Sequence, residues 1–250
     1  TLAGKWSWAG TSGVCTHDAH LLLPSPLPSL DPPLRTVIGA QCKDGVVIVV
    51  EKPLISKMLV AGTNGKLSSI DRHSGIAMTG LMPDGRQIIN RAAYEAQQFK
   101  SFYGSPIPGK TLMDRLAGYV HVHTLYWHLR PFGVSFLQAT YTEEEGATLY
   151  CCEPSGISNR YFGTAIGKGK MGAKTELEKL KLEEMTCEEL SKQLVKIIHY
   201  IHDEVKDKEF EVEISWTGAV ANGKHKTLSA EQVHGYEMWA KDQLEAEMDD

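Results

Sequence analysis

The stretch Thr36-Val37-Ile38-Gly39-Ala40-Gln41-Cys42-Lys43-Asp44-Gly45-Val46-Val47-Ile48-Val49-Val50-Glu51 decides the architecture. Two apolar segments, Thr36–Cys42 and Val46–Glu51, flank Lys43-Asp44-Gly45. Asp-Gly adopts the backbone angles of a tight hairpin with little strain, so the stretch predicts two antiparallel strands. Val46–Val50 shows no polar alternation. Successive side chains of a strand point to opposite faces, so an unbroken apolar run implies cover on both sides.

Outward from that hairpin, Lys66–Asp71 and Ile76–Gly80 read as a second strand pair around Ser74-Gly75. The period then becomes helical. After Pro83-Asp84-Gly85, apolar groups fall at Ile88, Ala92, Ala96, Phe99 and Tyr103, one face of a helix. A second helix follows Pro106 and Pro108, with Leu112, Leu116, Tyr119 and Val120 as its stripe, and Thr111 with Asp114 resembles a capping box. Gly133–Tyr141 and Ala147–Cys152 read as strands turned by Glu143–Gly146, and Ser158–Gly163 as one short strand. A helix from near Gly169 carries Leu177 and Leu180; another, capped by Thr186 with Glu189, aligns Leu190, Leu194, Ile197, Ile198 and Ile201. Phe210, Val212, Ile214 and Trp216 alternate with Glu211, Glu213 and Ser215, so the first set is expected inward and the second outward. Asn222-Gly223 turns the chain into a short strand around His225–Leu228. A last helix starts at Ser229, with Gln232 as box partner, and carries Val233, Tyr236, Ala240 and Leu244. Strands and helices come in blocks. That order disfavours a doubly wound sheet and favours an α+β fold, two packed antiparallel sheets with helices outside.

Composition narrows the function. The 250 residues fit one large domain or two small ones, and 42% hydrophobic with 23% charged residues suits a soluble globular chain. A net charge of −5 argues against nucleic-acid or polybasic membrane binding. Cys15, Cys42, Cys151, Cys152 and Cys187 make no C-x-x-C pair, which argues against a zinc ribbon or a thioredoxin-type site; adjacent Cys151 and Cys152, in an apolar stretch, are expected to be buried free thiols, and the usage suits a reducing compartment. Gly167-Lys168-Gly169-Lys170-Met171-Gly172 matches G-x-G-x-x-G, but the blocked order lacks the βαβ unit that motif needs, so a helix-start turn is expected. His121 and His123 stand two apart on a helix and do not share a face, so no metal pair is expected there. No cofactor is expected either.

Residues 36 to about 246 resemble an α-type subunit of the proteasome core particle. The resemblance is carried by Thr36-Val37-Ile38-Gly39, Asp44-Gly45-Val46-Val47 through Glu51-Lys52, Lys66 to Asp71-Arg72-His73, and Gly80-Leu81-Met82-Pro83-Asp84-Gly85-Arg86. His123-Thr124-Leu125-Tyr126, Arg130-Pro131-Phe132-Gly133-Val134-Ser135, Glu153-Pro154-Ser155-Gly156 and Gly167-Lys168-Gly169 follow in order. The resemblance implies the four-layer αββα N-terminal-nucleophile (Ntn) hydrolase sandwich. It implies a domain over 36–244 with an acidic, solvated tail at 245–250. It also implies a seven-member ring of α-type subunits stacked on a β-type ring, regulatory caps as partners, and a place in cytoplasm and nucleus.

The family's β-type subunits cut peptides with an N-terminal Thr, whose free α-amine is the base. This sequence begins with Thr1, which makes a β-type threonine peptidase the alternative reading; a free-standing hydrolase of the same fold is a third. The spacing opposes Thr1. By resemblance the orienting acid's place is Glu51 and the nucleophile's place falls near Arg35–Thr36, where a mid-chain nitrogen is an amide and no base. No catalytic residue is therefore expected. Lys66 stands at the family's lysine position. In α-type rings, pockets between neighbours receive the C-terminal tails of caps, and the resemblance implies that Lys66 pairs with the tail carboxylate. The plain alternative is a solvated lysine at a strand start.

Residues 1–35 depart from the family. Trp6, Trp8, Leu21-Leu22-Leu23 and prolines 24, 26, 28, 32 and 33 make a Pro-rich segment with no secretory pattern. The family's Tyr-Asp pair, Ser-Pro-x-Gly-Arg turn and Gln-Val-Glu-Tyr-Ala helix start are absent from it. The length matches and the residues do not, so a stretch read in the wrong frame is the hypothesis. Tandem mass spectra of peptides holding Trp6, Trp8 or the proline run would overturn it.

Overall fold

The computed structural model describes residues 35–54, 56, 58–60, 62–202 and 210–249. Thr1, Cys15 and the Pro-rich segment, apart from Arg35, lie outside the described residues.

The opening stretch forms β1 (Val37–Cys42) and β2 (Gly45–Pro53), antiparallel, with Cys42 opposite Gly45 across the turn. Side chains 46 to 50 of β2 have no exposed surface. Val46, Ile48 and Val50 face one apolar layer with Ala77, Leu137, Ala139 and Leu149; Val47 and Val49 face another with Leu190, Leu194 and Ile198. Each such burial contributes about 1.5–3 kcal/mol. The double cover read from the sequence is therefore a sheet on one side and helices on the other.

The sheet behind β2 consists of β3 (Leu67–Asp71), β4 (Ser74–Gly80), β5 (Val134–Thr142), β6 (Gly146–Cys152) and β7 (Ser158–Tyr161), in that spatial order. The sheet containing the opening stretch runs β10-β9-β2-β1-β8, with β8 at Gly163–Ile166, β9 at Phe210–Gly218 and β10 at Lys224–Thr227. All the ladders are antiparallel. Gly39 lets the sheets approach: a Cβ there would stand 3.0 Å from Leu137 Cδ1 and 3.1 Å from Leu149 Cδ1.

Helices α1 (Met82–Tyr103) and α2 (Gly109–Leu125) cover the β3–β7 sheet through Ile88, Ala92, Leu112, Leu116 and Val120. Helices α3 (Lys170–Glu178), α4 (Cys187–Ile201) and α5 (Ala230–Asp249) cover the other. The result is the four-layer αββα sandwich.

Five local readings need correction. The helix α1 starts at Met82, because Pro83 suits a first turn, where its missing N–H is not needed. Thr111 does not cap α2. Pro108 is the N-cap without a side-chain bond, and Gly109 comes so close to the sheet that a Cβ would meet Thr148 Oγ1 at 2.7 Å. Ser158–Gly163 is two strands in different sheets: the chain leaves β7 and crosses at Phe162, whose carbonyl accepts from Gln41 N at 2.6 Å. Ser215 of β9 is not outward. It lies buried in the space between the sheets, because the other sheet covers the face that alternation alone assigns to solvent. The helix α5 runs on past Leu244. The Thr186–Glu189 capping box stands as read, with both reciprocal bonds present.

Candidate functional site

The hairpin β1–β2 brings residue 36 back beside residue 51. Thr36 and Glu51 join by two backbone-linked bonds: Glu51 N donates to Thr36 O at 3.0 Å, and Thr36 N donates to Glu51 Oε2 at 3.1 Å. The second bond consumes the nitrogen that a threonine nucleophile would need as its base. That nitrogen is an amide, with its lone pair delocalised into the peptide bond. Thr36 Oγ1 meanwhile accepts from Gly169 N at the start of α3, at 3.2 Å.

Arg35 occupies the space ahead of Thr36. Its Nη1 donates to Glu51 Oε1 at 3.0 Å, and both side chains are almost fully buried. Its carbonyl accepts from Thr79 Oγ1 at 2.7 Å, which ties the start of the described chain to β4. His202, just past α4, places Nδ1 3.2 Å from the same Glu51 oxygen. Glu51 is thus the hub of a buried cluster, and the amide, the guanidinium and the imidazole consume its carboxylate.

Lys66 lies just before β3, only 6% exposed, so the solvated-lysine alternative fails for this chain. Its Nζ donates to the Glu51 carbonyl at 3.5 Å, and its backbone N donates to Glu213 Oε2 at 3.0 Å. Burial lowers its pKa from the ordinary 10.5 to about 8; Glu51 pulls it back up, Arg35 pushes it down and Glu213 pulls it up. Lys52, equally buried, bridges Glu211 at 3.1 Å and Glu213 at 3.6 Å. The cluster therefore holds buried cations around Glu51 and Glu213 and is unsuited to acyl transfer.

Sequence reading located Glu51 and Lys66 here. It named Arg35 only as part of the nucleophile's place and Glu213 only as an outward residue, and it missed that both join the cluster of Glu51 and Lys66 and that His202 does so too. Glu213 was legible in principle, because its register on β9 opposite Val50 follows from pairing β9 with β2. His202 was not, since it arrives from the far end of α4.

The other candidates resolve simply. Gly167–Gly172 links the edge strand β8, antiparallel to β1, to the nine-residue α3, and Gly169 is the N-cap. His121 Nδ1 lies 3.2 Å from Ser155 O, whereas His123 Nδ1 lies 2.9 Å from Tyr119 O and its ring packs on Phe132. Cys151 and Cys152 are free and buried, as read, and so are Cys42 and Cys187.

Comparison with known proteins agrees with this geometry. The model of the family described as "Proteasome subunit" matches residues 35–217. The chain is 50% identical over 214 residues to proteasome subunit alpha type-3 of Arabidopsis thaliana, covering 86% of this chain and 85% of that one. It is 53% identical over 193 residues to proteasome subunit alpha type-3 of Spinacia oleracea, covering 77% of each. It is 46% identical over 200 residues to the probable proteasome subunit alpha type-7 of Saccharomyces cerevisiae, covering 78% of this chain and 69% of that one. With its sandwich, its capped-off Thr36 and these alpha-type relatives, the chain belongs to the proteasome subunit family.

Proposed function

We propose that this chain is a non-catalytic subunit of the outer, α-type ring of the proteasome core particle. The observation that carries this reading is the state of Thr36: its nitrogen is an amide donating to Glu51, with buried Arg35 ahead of it. Its partners are other α-type subunits in a seven-member heteromeric ring, the β-type ring beneath, and regulatory caps. Its role is ring assembly, gating of substrate entry and cap docking during ubiquitin-dependent and ubiquitin-independent protein degradation, in cytoplasm and nucleus. Large exposed apolar side chains, including Phe102, Tyr103, Leu125 and Trp127, support the subunit reading, because such groups gain by burial against neighbours. The domain 36–244 carries that role, with 1–35 in the place of the gate segment.

The test treats the native assembly with an epoxyketone-type inhibitor, which traps N-terminal threonines. Adducts are expected on neighbouring subunits and none on this chain. An adduct at Thr1 would establish the threonine-peptidase alternative instead. A monomeric native mass would favour a free-standing hydrolase.

Within this reading, Lys66 receives the C-terminal carboxylate of a cap. A desolvated ammonium beside its own chain's carbonyl gains more from an arriving carboxylate than a surface lysine does. Lys66→Ala is expected to weaken cap binding and cap-stimulated peptide hydrolysis about tenfold, the effect of losing about 1.4 kcal/mol. Unchanged binding and stimulation in that variant would remove the assignment.

A further inference from the structure

The Cys42–Cys187 pair is not used by anything above. Cys42 ends β1, and Cys187 is the first residue of α4, inside the Thr186–Glu189 capping box. They lie 145 positions apart in sequence, yet their Sγ atoms stand 3.1 Å apart. The contact joins a strand of one layer to a helix of the next. Cys151 and Cys152 differ: adjacent on β6, they point to opposite faces, Cys151 between the sheets and Cys152 under α1 and α2.

Access is the second, independent observation. Cys42 lines a surface cavity of about 630 Å³, together with Lys43, Phe162, Lys181 and Leu182. Glu183 and Glu184 stand on its rim, and Asp44 follows Lys43 in the turn. The cavity is wide enough for a small peroxide, and it is lined by Cys42 and not by Cys187, which is 2% exposed. The two sulfurs also divide labour. A hydrogen bond from Cys187 lowers Cys42 to about 7 against the effect of burial, with help from the Asp44 and Gly45 amides and opposition from the Asp44 carboxylate. The same hydrogen bond, and then burial, push Cys187 well above the usual thiol range. The thiolate is the nucleophile in sulfur chemistry, so the attacking atom is Cys42 Sγ. Cys151 and Cys152 are pushed up to about 12 by burial, and because they face opposite sides of β6 neither is placed to attack the other.

We propose that Cys42 and Cys187 form a peroxide-responsive dithiol that closes into a disulfide and staples the hairpin β1–β2 to the N-terminus of α4. The Cys42 thiolate attacks a peroxide oxygen, the O–O bond breaks, hydroxide leaves, and Cys42 becomes a sulfenic acid. The Cys187 sulfur then attacks Cys42 Sγ. The S–OH bond breaks, the S–S bond forms, and the leaving hydroxide takes the Cys187 proton as water. Two thiols lose two electrons, and one hydrogen peroxide becomes two waters. A thiol reductant reverses the bond.

The experiment exposes the protein, in its native assembly, to graded hydrogen peroxide. Free thiols are then alkylated under denaturing conditions and the peptides mass-analysed. The expected result is a Cys42–Cys187 linked peptide pair, lighter by two hydrogens than the reduced pair and abolished by dithiothreitol, while Cys151 and Cys152 stay fully alkylated. Retention of both free thiols at doses that oxidise other cysteines of the assembly would overturn the proposal, and so would oxidation of Cys42 to a sulfinic acid without the link. In Cys187→Ser, dimedone is expected to trap a sulfenic acid at Cys42. No trapped adduct there would overturn the assignment of Cys42 as the attacking sulfur. If Cys187→Ser fails to assemble, the linked-peptide measurement on the unchanged protein decides alone. The outcome is independent of whether the chain docks caps.

Discussion

Glu51 and Asp84 are both buried carboxylates facing an arginine, and they are built for different ends. Around Glu51 everything is buried, Arg35 and Lys66 included. Asp84, in the first turn of α1, grips Arg130 with both oxygens at 2.6 and 2.7 Å and accepts from Gly133 N at 3.0 Å. Arg130 itself is more than half exposed. Arg35 and Lys66 are enclosed with Glu51 and cannot turn directly into water if its carboxylate is removed. Arg130 can turn into water. The same pairing chemistry is therefore an enclosed hub in one case, and a clip between α1 and the segment that leads into β5 in the other.

The largest expected effect comes from breaking the hub. Glu51→Ala would take from the Thr36 amide and the His202 imidazole their shared carboxylate, and from buried Arg35 one of its ionic contacts. Breaking a buried pair from one side costs about 3–5 kcal/mol, mostly the penalty of the stranded charge. The expected outcome is a large fall in the urea midpoint of the chain with little change in slope. A loss below about 1 kcal/mol would mean that Arg35 finds solvent, and would erase the contrast with Asp84.

The clip should break more gently. Asp84→Asn keeps the shape and removes the charge-assisted bonds, at about 2 kcal/mol near neutral pH. Burial alone would raise the Asp84 pKa, but the Arg130 hydrogen bond and the Gly133 amide outweigh it and hold the carboxyl below its ordinary 3.8. A depressed folded value stabilises the fold above the unfolded value, and that contribution is lost as pH falls through the folded one. The gap between parent and Asp84→Asn should thus be constant from neutral pH down to about 4 and close below it. A gap that stays open in acid would show that the bonds matter through geometry alone.

The two regions also differ in how far they could be read from the sequence. The layers were legible because periodicity reports cover: the unbroken Val46–Val50 run needed both a sheet and a helix layer, and it has both. The Thr186–Glu189 box was legible because its two bonds span four consecutive residues. Where long-range packing intervened, local signals failed. Thr111 is displaced from its cap because Gly109 is pulled against Thr148, and Ser215 is buried by a sheet that local alternation cannot see. Of the hub, Glu51 and Lys66 were found through family spacing. His202 is brought to Glu51 from 151 positions away by the length of α4, and no residue pattern near either one announces that contact.

Lys66 gives the smallest and most diagnostic change. Its backbone is tied to Glu213 at 3.0 Å, yet its ammonium is held by a carbonyl at 3.5 Å and, among the described residues, by no carboxylate at bonding distance. Its pKa falls from the ordinary 10.5 to about 8, chiefly through burial. Below pH 8 both folded and unfolded chains keep the proton, and the fold carries the cost of a desolvated ammonium. Between about 8 and 10.5 the folded chain has released the Lys66 proton and the unfolded chain has not, so the Lys66 contribution to stability rises with pH across that window, read as the parent's stability relative to Lys66→Met. Lys66→Met replaces the stem with a similar volume and no charge, so its stability near pH 7 should lie within about 1 kcal/mol of the parent. Urea unfolding of both chains should show the parent gaining on Lys66→Met between pH 8 and 10.5. If the difference stays flat, Lys66 does not titrate there and is held as firmly as Arg35. If it rises, Lys66 is the loosely held cation of the hub, the one an incoming carboxylate could claim without dismantling the Arg35–Glu51 pair.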